Sequence, residues 1–355
     1  MNNISLKKLF GAGALAVTLL STSVAYSSHH FEGAAYLSDT RLAQVDNFIF
    51  PSSRPGHTAI VMMVNYDPKA GENNTFNPDG VYNMHFANGL DLANGKTLSF
   101  IFDGNSYEVF LQNDPNPAPG VVGTKIGEGV IGQAGTLSGD IRSYADVVRD
   151  PFYGNAIGLE AFRAQNLKGE YDEGVWQAAG NKNVFADRKV GSLVLEVPNE
   201  MLGEKVYAFF STSVKSDDGY KQVNYSALPL MSHLMMFDDS LLRMAHDASR
   251  PTEEHSVTMR PLVSARVTRA AVLSGGNPNP VKYGDETAAM LFPDVIPYVI
   301  GTPTVFTVER INGRSFDDDV MSVMLSLLLG KTTDQAMTNT HNYTRDFPYV
   351  MAIEP

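Results

Sequence analysis

Between Ser27 and Phe50 the chain crowds two adjacent histidines, His29 and His30, with Glu32, Asp39 and Asp46, a density of ligand-type side chains that no other stretch approaches. Imidazole and carboxylate donors together suit Zn²⁺, Cu²⁺ or Fe²⁺. Extended backbone sends alternate side chains to one face, so His30 and Glu32 would share a side while His29 points away. A transition-metal ion held by this cluster is one expectation. The competing expectation is that Asp39 caps a turn, Asp46 binds backbone amides and the histidines belong to an exposed mature terminus, because no standard zinc-ligand spacing is present.

A second, softer set is Met231, His233, Met235, Met236, Met244 and His246. Thioether and imidazole donors suit Cu(I), and a strand over Leu228–Met236 would put Met231, His233 and Met235 on one face. Methionine is more often adaptable core filler, the alternative here. Acid–base chemistry has one candidate, the run Asp317-Asp318-Asp319, as paired carboxylates serve glycosidases. The run also stands where a helix begins, and there carboxylates cap. No Gly-x-Ser-x-Gly elbow or His-Glu-x-x-His helix is present, and no Gly-rich phosphate loop follows a strand. Tyr82, Tyr107, Tyr144 and Trp176 could line a sugar groove or fill the core.

The elements that must position these groups are legible in part. Met1–Ser27 reads as an export leader: Lys7 and Lys8, an apolar run from Leu9 to Leu20, then small residues at Ser23, Ala25 and Ser27. That run is shorter than the ~20 residues of a membrane span, so the mature chain is expected to be soluble and periplasmic or secreted. There is no cysteine, which excludes disulfides, thiolate metal sites and cysteine nucleophiles. A net charge of −12 argues against nucleic acid as a partner. Residues 28–355 fit one large domain.

His57–Tyr66 and Lys189–Pro198 have the apolar, β-branched content of buried strands. Val81–Phe86, Leu98–Asp103 and Tyr107–Gln112 form a meander, with Asp103-Gly104-Asn105-Ser106 as its hairpin turn. Lys205–Val214 is expected to pair with Lys189–Pro198 across the Asn199–Gly203 turn. Residues 113–140 are loaded with Gly and Pro and mark where a sub-boundary would fall. Helices are expected over Leu159–Gln165, Asp238–Ala248 and Met259–Leu273. A last one is capped by Ser315, has an apolar face of Val320, Met321, Met324, Leu327 and Leu328, and ends at Gly330.

Six segments taken in order, SHHFE at 28–32, Asp39 to Phe50, DPF at 150–152, LVLEVP at 193–198, FPDV at 292–295 and NGRSFDDDV at 312–320, resemble the bacterial exported family catalogued as domain of unknown function 4331. The resemblance spans nearly the whole mature chain and implies an exported, β-rich α+β protein with no established activity. Two departures stand out. Thr40 replaces the proline many members carry after the Asp, and Ala87-Asn88-Gly89-Leu90-Asp91 replaces an acidic Ca²⁺-type loop with a single carboxylate.

The reading is therefore an α+β chain, mainly antiparallel sheet, a sandwich being one arrangement that satisfies it, with helices concentrated towards the C-terminus. Its function is expected to be non-catalytic binding, with a transition-metal ion as the candidate ligand. The alternatives are an extracellular hydrolase using paired carboxylates and an envelope or matrix interaction protein.

Overall fold

The computed structural model of the chain describes residues 39–71, 74–178, 180, 182–237, 239–339 and 343–353. The leader expected over Met1–Ser27, together with His29, His30 and Glu32, lies outside the described residues.

The strands fall into four groups along the chain. The first is β1 (Gln44–Pro51) and β2 (His57–Asn65), and the second is β3 (Gly80–Ala87), β4 (Gly95–Asp103), β5 (Ser106–Gln112) and β6 (Thr124–Val130). The third is β7 (Gly135–Leu137), β8 (Ile141–Arg149) and β9 (Lys189–Pro198), and the fourth is β10 (Lys205–Ser216), β11 (Gly219–Ser226) and β12 (Ile296–Val299). Groups one and three make a sheet ordered β1-β2-β9-β8-β7, and groups two and four make a second sheet, β11-β10-β3-β4-β5-β6, with β12 added against β10. A short hairpin, β13 (Val305–Phe306) and β14 (Ile311–Asn312), stands apart. All pairings between these strands are antiparallel.

The two sheets enclose a common core, which makes the protein a strand-dominated member of the α+β class. β2 is apolar along its length because it is central: from Thr58 to Asn65 every residue is buried between β1 and β9. β3 alternates instead, with Tyr82, Met84 and Phe86 in the core and Asn83 and His85 on the opposite face. The sheet edges approach each other at both sides. Ser138 N donates to Ile126 O at 2.9 Å on one side, and Gln44 Nε2 donates to Phe210 O at 3.2 Å on the other.

Helices follow mostly late in the chain. α1 (Ala156–Lys168) and α2 (Gly174–Ala178) lie between β8 and β9, and the single turn α3 (Asn199–Leu202) lies between β9 and β10. α4 (Ser240–Asp247), α5 (Glu253–Ser274), α6 (Pro280–Leu291) and α7 (Val320–Leu329) come after residue 239. Phe162, Trp176, Met259, Val263, Met324 and Leu328 carry them into the main core. Among the described residues, no helix is long and apolar enough to cross a membrane.

Three local expectations are corrected. β10 does not pair with β9: β9 lies between β2 and β8 in one sheet and β10 between β3 and β11 in the other, because α3 and Gly203 turn the chain across the core between them. Met231–Met235 is a π-helical turn, not a strand, so Met231, His233 and Met235 do not form a row. The cap of α7 is Asp319, whose Oδ1 accepts from Ser322 N at 3.1 Å, while Ser315 bonds Asp318 instead. Gly330 ends α7 in the left-handed region, φ +71°, as the sequence leads one to expect.

α5 and α6 pack closely at Gly284, where a Cβ would collide with Thr268 Oγ1 and meet the Ser264 carbonyl at 2.6 Å. Gly284→Ala is therefore expected to destabilise by about 1–3 kcal/mol in chemical denaturation despite alanine's better helix propensity. A gain in stability would show that the helices separate at no cost.

Both sheets are covered on their outer faces by irregular chain. Over the five-stranded sheet, Arg314–Phe316 and Tyr343–Ala352 run as straps, joined to it by bridges Ile49–Arg314 and Val148–Ala352 and packed on Phe48, Val61 and Val194. Over the seven-stranded sheet, Asp114 O accepts from Thr97 Oγ1 at 2.7 Å, Pro117 O from Arg250 NH2 at 3.0 Å, and Gly120 lies against Tyr220.

Candidate functional site

Asp39 and Asp46 are both committed to guanidinium partners. Asp39 accepts from Arg41 Nε at 2.9 Å and NH2 at 2.7 Å and from Asn77 Nδ2 at 2.5 Å, and it caps the 3₁₀ turn Thr40–Leu42 through Arg41 N. Burial works against its charge, but these bonds hold its carboxyl below the ordinary range. Asp46 is 1% exposed and pairs with Arg314 NH1 at 2.5 Å. Both carboxylates are thus engaged in ion pairs within the fold. Among the described residues no three His, Asp or Glu side chains are grouped to hold a metal ion.

The softer set is also dispersed into other roles. Met231, Met235 and Met236 are wholly buried in the main core. His233 Nδ1 faces Arg163 NH2 at 3.1 Å, and His246 Nε2 faces Asp294 Oδ2 at 3.0 Å, with Leu228 N donating to Asp294 Oδ1 at 2.8 Å. Met244 is exposed on α4. Met231, Met235 and Met236 thus serve packing, and His233 and His246 serve polar ties.

The acidic residues of the segments at 150–152, 193–198 and 312–320 have the same character. Glu196 on β9 is wholly buried under the C-terminal strap, accepting from Arg142 Nε at 2.7 Å and NH2 at 2.6 Å, from Ser52 Oγ at 2.6 Å and from Tyr349 OH at 2.6 Å. Burial raises its pKa, but these donors together hold it below the ordinary carboxylate value, so it is no base at neutral pH. Ser52 Oγ also accepts from Arg54 N at 2.8 Å and lies 2.8 Å from the Tyr349 hydroxyl. Of the Asp317–Asp319 run, Asp319 caps α7, Asp318 binds Ser315 N at 2.6 Å and Asp317 binds Tyr343. Asp150, wholly enclosed with Asp46, Arg188 and Arg314 acting on it, is pushed by burial up to about 7.

Beneath the strap on the seven-stranded sheet lies a sealed polar layer. His85 stacks on Phe209 with ring centroids 4.4 Å apart, and its ring nitrogens bond Thr97 Oγ1 at 2.9 Å and Ser211 Oγ at 2.8 Å. Arg250 NH1 stands 3.5 Å from Nε2. Burial, then the Arg250 charge, depress the His85 pKa well below its ordinary value.

One cavity differs from these satisfied clusters. About 450 Å³ in volume, it is lined by Asn166 and Leu167 from the last turn of α1, Phe237 and Asp239 from the turn before α4, and Arg266 and Arg269 from α5. Three residues apart on one helix, the two arginines face the same way. Arg266 donates to Met236 O at 2.5 Å, pairs with Asp239 at 3.3 Å and lies 5.5 Å over the Phe237 ring. Arg269 donates to Asn166 O and, among the described residues, has no carboxylate partner. Asn166 is 5% exposed, and its Nδ2 is buried with no partner in the structure. Phe237 holds a left-handed backbone, φ +53°, which is strained for a bulky residue and shapes the turn that closes the cavity. A guanidinium carries five N–H donors, so the pair retains donor capacity after these bonds.

Nothing in the sequence reading singled out Arg266 or Arg269. A signal was present: in VSARVTRAAVL no acidic residue stands three or four positions from either arginine, so neither has the helical partner that usually neutralises such a charge. Comparison of the chain with family models, with curated proteins and with solved structures returned no match.

Proposed function

We propose that the protein is an exported, non-catalytic binding protein and that it takes a small anion, through a carboxylate or phosphate-type group, between Arg266 and Arg269. The observation that carries this reading is a guanidinium without a carboxylate partner among the described residues, Arg269, set beside a second in a cavity of about 450 Å³ on a chain whose net charge is −12. Glu196 and Asp46 are buried carboxylates matched with guanidinium donors; here donors stand together with, among the described residues, Asp239 to oppose them. Planar guanidinium forks bind carboxylate and phosphate by paired N–H donors, at short range and with defined orientation. Export is supported by the leader-like start of the sequence.

Titration calorimetry of acetate, succinate, phosphate and sulfate at low ionic strength tests the proposal. At least one anion is expected to bind the parent, and Arg269→Gln, which keeps a polar amide but removes the charge, is expected to weaken it by 10- to 100-fold, the loss of about 1.5–3 kcal/mol for a charge-assisted contact. An unchanged melting curve would show the variant folded. If every anion fails, or if Arg269→Gln binds as the parent does, the site is wrong.

A further inference from the structure

The surface around the arginine cavity is apolar in a way that a site for a small hydrophilic anion does not need. Leu167, which lines the cavity, is 80% exposed on the last turn of α1. Leu241, 77% exposed, begins α4 two residues after Asp239, and Met244 follows on the same side of that helix. Leu262 is exposed one turn before Arg266 on the same face of α5.

α5 sharpens the point. Its inner face, Met259, Val263, Val267, Ala270 and Ala271, is buried, and its outer face carries Val257, Leu262, Ala265 and Val272 in the open. Single exposed leucines are commonplace, but Leu167 lines the cavity itself and Leu262 stands one turn from Arg266 on the helix that carries both arginines. The two arginines are the charged groups that this apolar side of α5 carries into the cavity. Such a surface matches a ligand with one anionic end and one hydrocarbon end.

Resting on the anion-binding reading, we infer that the ligand is a single-chain anionic amphiphile, its head group between Arg266 and Arg269 and its alkyl chain laid over Leu167 and Leu262 towards Leu241. Arg266 and Arg269 fix the head, with Asn166 beside them, and the chain covers leucines that are otherwise in water. The occupant is a free monomer rather than a bilayer, since the head-group site is a recess and not a raised basic surface.

The test is a titration of butanoate, octanoate and decanoate, each below its micelle concentration, with decanol as the neutral control, against the parent, Arg269→Gln and Leu167→Ser. Burial of one methylene corresponds to about a fourfold gain in affinity, so even partial cover of the added carbons is expected to tighten binding at least tenfold from butanoate to decanoate. Leu167→Ser, at a position too exposed to threaten folding, is expected to flatten that dependence. Equal affinity at all chain lengths, or binding of succinate or phosphate without decanoate, would overturn the amphiphile and leave the anion site standing. Decanol binding as tightly as decanoate, with Arg269→Gln unaffected, would overturn both. Co-sedimentation with phosphatidylglycerol vesicles, without binding of monomeric decanoate, would overturn the free-ligand assignment in favour of a membrane surface.

Discussion

Arg314→Met is expected to cost the folded protein about 3–5 kcal/mol, the range found when one member of a buried ion pair is removed and its partner stays enclosed. Arg314 is 2% exposed, and its guanidinium binds Asp46 Oδ1 at 2.5 Å, reaches Asn47 O at 3.2 Å and lies 4.3 Å over the Phe48 ring. The backbone of the same residue bonds β1, Arg314 N to Ile49 O at 2.8 Å and Ile49 N to Arg314 O at 3.1 Å. Methionine keeps the packing over Phe48 and removes the charge, so the loss isolates the carboxylate's exposure to a dry site. The double variant Asp46→Leu with Arg314→Met is expected to recover most of the loss, because an apolar pair of similar volume needs no desolvation. Urea denaturation of the three proteins decides the matter: a double variant no more stable than the single one would mean that the pair is held for its shape and not its charge.

The second large effect concerns pH, and it comes from two enclosed groups that pull in opposite directions. Burial raises Asp150 to about 7 in the folded protein, so its contribution is fully present below its unfolded value of 3.8 and is lost as pH rises through 7. His85 is depressed well below 6.5, so its contribution is present above 6.5 and is lost as pH falls. The charged group that faces His85 is Arg250 across its Nε2 edge, itself within the influence of Asp114, and the other ring contacts are uncharged Thr97, Ser211 and Phe209. Between pH 4 and 6.5 the two slopes oppose, and the parent's stability is expected to vary little from this pair. Asp150→Asn should gain on the parent as pH rises from 4 to 7, by roughly 1.4 kcal/mol per pH unit for one proton. His85→Gln should gain on the parent as pH falls below 6.5, at a similar rate. A difference from the parent that stays constant across pH would show that the group in question does not change its protonation on unfolding.

The strands were legible where local composition decides them. β2 and β9 announce themselves as apolar runs, the β4–β5 turn by Gly104 at φ +57°, and α7 by its apolar spacing and Gly330. Strand partnership was not legible, because it is settled by contacts between distant residues. β9 and β10 are neighbours in sequence and still belong to different sheets. The alternation of Asn83 and His85 with Tyr82, Met84 and Phe86 reads as a solvated outer face, yet the 113–121 strap covers it. Asp39 and Asp46 stand out in the sequence as ligand-type side chains, and in the fold each meets a guanidinium, Asp39 that of nearby Arg41 and Asp46 that of distant Arg314.

The alternation of the four strand groups between the sheets has a consequence for how the molecule could be divided. A cut in the exposed Gly132–Ala134 turn would leave one fragment with β1 to β6 and another with β7 onwards, each holding half of both sheets. Neither half could complete a sheet by itself, yet the two would be complementary along the β2–β9 and β3–β10 seams, like the interlaced fingers of two hands. Co-expressed halves should therefore find each other and rebuild the whole, which makes this turn a natural place to split the protein into a reassembling reporter pair.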